Sequence, residues 1–208
     1  MNKRLVWNFE INNETPVDLP AEIAEESELL GWEARYFWEE DSYITLHGLN
    51  DSFLDLSLYK IKQRNDRYYL IPNQDYNVKQ RRDELFYKPL SQNTPACQGF
   101  GKKISLSNHP SLEIIPGIAP INTESLLALV HFDSTQIYVE KIALIYKFAI
   151  QPRIKLELAR LKIADKIYYS VCIEGPSQKL VRGISKQLLN REDSCGYVPF
   201  LKTTQGIV

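Results

Sequence analysis

The stretch "PRIKLELARL" (152–161) alternates between charged and apolar side chains. Arg153, Lys155 and Glu157 share one parity, and Ile154, Leu156 and Leu158 share the other. Successive side chains of a β-strand point to opposite faces. The stretch therefore predicts a strand that is charged on one side and apolar on the other. The charged side meets either bulk water or an interior built to hold an anion.

Working outward, "QIYVEKIALIYKFAI" (136–150) and "KIYYSVCIEG" (166–175) predict the flanking strands. A helix follows at 177–190, where Leu180, Ile184 and Leu188 form one stripe with Val181 and Leu189 beside it. Upstream, "TESLLALVHF" (123–132) predicts a helix with Thr123 as its cap. In the first half, 18–31 has an Asp18 cap, Pro20 in the first turn and Gly31 to close a helix. Strands are predicted at 32–38, 43–49, 67–71, 76–81 and 85–90, while 51–64 fits either period. The Pro-, Gly- and Ser-rich tract 89–125 reads as a long connection with a short strand at "LEIIPG" (112–117). The tail "CGYVPFL" (195–201) reads as a packed loop. About eight strands and few helices predict an α+β fold, an antiparallel eight-stranded β-barrel or tunnel with flanking helices.

At 208 residues the chain is one domain, long enough to bury a core without disulfides. Its formal net charge of −1 gives no global field for nucleic acid or an acidic membrane. Any preference for anions must come from local placement. Cys97, Cys172 and Cys195 are odd in number and far apart, which suggests neither a disulfide framework nor a zinc site. The start "MNKRLVWNFEINNE" has too short an apolar run for a signal peptide, and no segment approaches the roughly 18 apolar residues of a membrane span. A cytoplasmic protein with neither nucleic-acid nor membrane partners is expected.

The charged faces of the strands share a bias. Glu33 and Arg35 lie together in 32–38, Lys79 and Arg81 in 76–81, and Lys88 sits in 85–90. Lys141 and Lys147 share a face in 136–150, as do Arg153, Lys155 and Glu157 in the next strand, and Glu174 ends the last. Eight bases stand against three acids in a near-neutral chain. A solvated sheet face explains this. So does a polar lumen, in which inward bases demand an anion because unpaired buried charge is costly.

The order of "RNDRYYL", "YNVKQR", "LFYKPL", "YVEKIALIYKF", "RIKLELARL" and "YYSVCIEG" before a closing helix resembles the CYTH-like triphosphate tunnel proteins, over about 32–190. That family includes inorganic and thiamine triphosphatases and class IV adenylate cyclases. The resemblance implies a tunnel that binds a tri- or polyphosphate and hydrolyses it with Mg²⁺ or Mn²⁺, water being the nucleophile. It implies Lys79, Arg81, Lys88, Lys141 and Lys147 as phosphate ligands, with Arg35, Arg153 and Lys155 added by parity. Glu33, Glu157 and Glu174 would be the metal-side carboxylates.

Three positions depart from the family pattern, two of them carboxylates. The first-strand E-x-E-x-K reads Glu33, Arg35, Phe37, and the first Glu of the terminal E-x-E is Cys172. A hard divalent cation wants several oxygen ligands, so phosphate binding carries over more safely than hydrolysis. Arg35 is then either an extra phosphate ligand or a salt-bridge partner, and Glu174 either a metal ligand or the partner of a nearby base. Two other readings stand beside a triphosphatase. One is a non-catalytic binder of a phosphorylated ligand or protein within the same architecture. The other is an unrelated barrel carrying an apolar ligand on the opposite strand faces. His47, His109 and His131, Cys172, Tyr68 and Tyr69 read as structural.

Overall fold

The computed structural model describes residues 2–13, 30–108, 110, 112–191 and 193–207. The helix expected over 18–31 lies outside the described residues except for its last two, as does His109. The chain opens with strands β1 (Lys3–Val6), β2 (Phe9–Asn12), β3 (Gly31–Glu39) and β4 (Ile44–His47). After two 3₁₀ turns come β5 (Lys60–Ile71), β6 (Gln74–Arg81), β7 (Glu84–Lys88), β8 (Leu90–Asn93), β9 (Gln98–Phe100) and β10 (Ile104–Ser105). The short β11 (Ile114–Ile115) and β12 (Ile121–Asn122) precede helix α1 (Thr123–Phe132). The chain then forms β13 (Thr135–Lys147), β14 (Lys155–Ile163), β15 (Lys166–Gly175), α2 (Gln178–Leu189) and α3 (Tyr197–Gln205).

The opening stretch becomes β14, in the middle of a ten-stranded sheet of order β10-β7-β6-β5-β13-β14-β15-β3-β9-β8. Its neighbours are the flanking segments read from sequence: Ala159 pairs with Ala143 of β13 and with Ser170 of β15, both antiparallel. The fold is α+β, with a mostly antiparallel, curled sheet and three α-helices among the described residues.

The expectation of a closed, eight-stranded barrel is corrected. The 89–125 tract is not one long connection. It supplies β8 to β12, of which β8 and β9 extend one edge of the sheet and β10 the other. Among the described residues the ladder thus has ten strands, with β10 and β8 at its two edges. Only Pro89 separates β7, near one edge, from β8 at the other. Proline has no N–H to give a ladder, and its carbonyl accepts instead from Gly101 N at 2.9 Å.

The alternation seen in the sequence sorts the two faces. On the convex side, Leu156, Leu158, Val171, Ile173, Ala34 and Tyr36 are buried beneath α2 and the small β1-β2-β4 sheet. The Leu180–Ile184–Leu188 stripe of α2 packs in this cluster, and Ser177 caps the helix by accepting from Leu180 N at 3.2 Å. Fully burying each such side chain stabilises by roughly 1.5–3 kcal/mol, so Ile184→Asp would detach α2. A second convex cluster joins β5, β6 and β7 to α1 through Tyr69, Val78, Tyr87, Leu126 and Val130. The cap of α1 is Asn122, which accepts from Ser125 N at 2.7 Å, and Thr123 is the first helical residue.

On the concave side, one end is apolar: Val139, Ala143, Ala159 and Leu161 pack against Val198 and Leu201 of α3. This helix replaces the loop expected at 195–201. Pro199 falls in its first turn, where no amide is required, and Gly206 ends it at φ 65°. The other end of the concave side is charged. No helix among the described residues is long and apolar enough to cross a membrane.

Candidate functional site: a basic cavity on the concave face

The charged end of the curl encloses a cavity of about 220 Å³. β3 supplies Glu33 and Arg35; β5, Arg64 and Tyr68; and β6, Asn77, Lys79 and Arg81. Phe86 and Lys88 come from β7, Lys141 from β13, Glu157 from β14 and Glu174 from β15. Lys103, just before β10, and Tyr197, at the start of α3, complete the lining. The strand residues are in register because each holds the concave parity of its strand.

Glu157, 6% exposed, is the charge centre. Its Oε1 accepts from Arg35 Nη1 at 2.9 Å and from Lys141 Nζ at 3.0 Å. Burial opposes its ionisation, but the Lys141 and Arg35 cations outweigh that and hold the carboxyl far below its usual range. Arg35 Nη1 also donates to Ser170 Oγ at 3.3 Å, and Nη2 lies 3.5 Å from Glu33 Oε2. The Tyr197 ring lies against the Arg35 guanidinium, 4.6 Å from its centroid, and against the Lys141 ammonium at 5.4 Å.

A second ion cluster sits on β5 and β6. Arg81 grips Asp66 in a fork, Nε to Oδ1 and Nη2 to Oδ2, both at 2.7 Å. Lys79 Nζ shares Oδ2 at 3.2 Å and donates to the Tyr68 hydroxyl at 3.3 Å. Burial pulls the Lys79 ammonium down to a pKa of about 8; Asp66 resists this, while Lys141 and Arg81 add to it. Burial works against the Asp66 charge as well, but Arg81 and Lys79 prevail and hold its carboxyl low.

Lys88 forms an ion pair with Glu33 Oε1 across the curl and lies 4.0 Å from the Phe100 ring centroid. Burial would raise the Glu33 carboxyl, yet Lys88 and Arg35 bring it down to about 2. Lys155 and Glu174, directly paired across β14 and β15, are joined at 2.7 Å.

Of the residues expected from sequence, Glu33, Arg35, Lys79, Arg81, Lys88, Lys141, Glu157 and Glu174 meet in this cavity. Arg153 and Lys155 line an adjoining hollow of about 480 Å³ that shares Glu33, Lys88 and Glu174 with it. Lys147 does not join them: it is exposed at the end of β13, beyond both hollows. Arg64, Asn77 and Lys103, together with Tyr68 and Tyr197, are lining residues that sequence reasoning did not assign. Asn77 shares the parity of Lys79 and Arg81, which was the available signal. Tyr197 offers none, because the proline-containing tail 195–201 reads as a loop.

Three buried polar atoms of lining residues have no hydrogen-bond partner among the described residues: Arg35 Nε, Asn77 Oδ1 and the Tyr197 hydroxyl. Orphaned buried polar groups are rare, and half of the six such atoms among the described residues belong to this lining.

The carboxylates do not suit a divalent cation. Glu33, Glu157 and Glu174 are each occupied by a base. No group of three or more His, Cys, Asp or Glu among the described residues is placed to hold a metal ion. Cys172, between Arg35 and Glu157 across the strands, is fully buried, and burial pushes its thiol well up, away from the reactive thiolate.

No protein-family model matches the chain. No curated protein matches it. Among solved structures it is similar to that of a "putative adenylate cyclase" from Bacillus halodurans, at 11% identity over 85% of this chain and 90% of that one, with a TM-score of 0.35.

Proposed function

We propose that this protein binds a compact polyanion, of the tri- or polyphosphate class, in the basic cavity, as a divergent CYTH-like binding protein. One observation carries the reading. Seven cationic side chains converge on one small hollow whose lining offers only three carboxylates. The chain as a whole is net −1, so the surplus is a matter of placement. Glu33, Glu157 and Asp66 pair with five of the seven cations but carry only three negative charges, and low-dielectric walls strengthen what an added anion gains from the surplus. A cavity of about 220 Å³ is below the roughly 300–1,000 Å³ of drug-sized sites, which favours a dense anion over a bulky one.

Binding without hydrolysis is the activity this lining supports. Where the resemblance calls for carboxylates, residues 35 and 172 are an arginine and a buried thiol. No lining side chain is an activated nucleophile. The test is the thermal midpoint in tripolyphosphate against chloride of equal ionic strength. A specific ligand at 100 times its Kd stabilises by about 2.7 kcal/mol; equal midpoints in the two salts would refute the reading. Phosphate release from tripolyphosphate with added Mg²⁺ or Mn²⁺ separates binder from hydrolase, and none is expected.

A further inference from the structure

We infer that Arg35 occupies the place a divalent cation would take, so that the cavity receives its polyanion without metal. The inference rests on the polyanion reading above and deepens it.

Two carboxylates assigned to a metal by resemblance, Glu33 and Glu157, project from β3 and β14 into the same cavity. What lies between them is a guanidinium. Arg35 Nη2 is 3.5 Å from Glu33 Oε2, and Nη1 is 2.9 Å from Glu157 Oε1. The intervening strand β15 carries Cys172 at the register position between Arg35 and Glu157, which adds a buried thiol and no oxygen donor.

Each carboxylate has a second cation of its own: Lys88 on Glu33 and Lys141 on Glu157. A hard divalent ion needs several oxygen ligands. To gather them here it would have to expel Arg35, which is 5% exposed and would be left without a counter-charge.

A fixed guanidinium supplies positive charge as a metal does, but with directional donors. Nη1 and Nη2 are engaged by the carboxylates, and Nε has no partner among the described residues. The ligand therefore meets a cation already installed and neutralised on its far side. Metal in solution competes for the ligand and adds nothing to the site.

The experiment compares the thermal shift produced by sodium tripolyphosphate in EDTA and in Mg²⁺, at constant ionic strength and each against its own ligand-free buffer. The expected shift is undiminished in EDTA and smaller with Mg²⁺ equimolar to the ligand. A shift seen only with Mg²⁺ overturns this inference and leaves the polyanion reading standing. No shift in either buffer overturns both.

A second arm uses Arg35→Glu, which replaces the guanidinium with a third carboxylate between Glu33 and Glu157. Mn²⁺ alone should raise the midpoint of this variant by several degrees and leave the native chain unchanged. Equal stabilisation of both, or of neither, would overturn the assignment of Arg35 to the cation's place. If the variant does not fold, the chelator comparison on the native chain still decides.

Discussion

Lys88 on β7 and Glu33 on β3 are ion-paired although β6, β5, β13, β14 and β15 lie between their strands in the ladder. Side chains so separated touch only because the sheet curls. The pair ties the two sides of the curl where hydrogen bonding leaves it open. Their side chains are 27% and 16% exposed, between the surface and fully buried cases. Lys88→Ala should therefore cost about 1–3 kcal/mol, more than an exposed pair and less than a fully buried one. Urea denaturation measures this. A loss within the range of an ordinary surface substitution would mean that the curl holds without this pair.

Much of the sheet was legible because its driving pattern is local. In β14 the two-residue period of Lys155, Glu157, Leu156 and Leu158 is visible without any partner strand. The same parity brought most of the basic residues to one face. Closure was not legible. Whether β8 and β9 pair at the far edge depends on contacts such as Trp32 with Gly99, distant in sequence and carried by a tract dense in turn residues. Lys147 fitted the parity but lies past the end of the cavity, since alternation fixes a face and not a position along it. Tyr197 was hidden for a third reason. A proline three residues into a helix looks, in sequence, like a proline in a loop.

Glu157 balances two buried cations, so its charge should matter more than its volume. Glu157→Gln keeps the shape and leaves Arg35 and Lys141 without their shared anion. Breaking a buried pair in this way costs about 3–5 kcal/mol. The same variant should gain more from tripolyphosphate than the native chain does, because the ligand then supplies the missing negative charge. Paired denaturation curves with and without ligand test this. An equal ligand gain in the two proteins would show that the polyanion does not reach Arg35 and Lys141.

Lys79 links binding to pH with two opposite signs. Its folded-state pKa of about 8 lies below the ordinary 10.5. Between those values the unfolded chain holds more protons than the folded one, so stability from this group rises with pH across the window. The full contribution is about 3 kcal/mol. Anion affinity should move the other way, falling as pH rises through about 8 and Lys79 loses its charge. Titration calorimetry with tripolyphosphate at pH 7 and pH 9 should show about tenfold weaker binding at the higher value, the equivalent of 1.4 kcal/mol. Lys79→Arg, whose charge persists throughout, should flatten the dependence. An unchanged slope in that variant would assign the titration to another group.

Tyr197 is the residue through which α3 reaches the site. Its ring stacks on Tyr68 at 5.5 Å and meets Phe37 edge-on at 5.3 Å, while its face supports Arg35 and Lys141. The ring packs on two aromatics and two cations, while the hydroxyl makes no hydrogen bond of ordinary geometry among the described residues. Tyr197→Phe should leave the midpoint nearly unchanged. Tyr197→Ala removes a packed aromatic, at about 3–5 kcal/mol, and frees both cations from a surface worth roughly 0.5–2 kcal/mol each. Affinity for tripolyphosphate should then fall about tenfold even under conditions where the variant stays folded, since cations that wander must be re-ordered on binding. If the phenylalanine variant loses as much affinity as the alanine one, the hydroxyl itself contacts the ligand, and α3 contributes a binding group instead of a support.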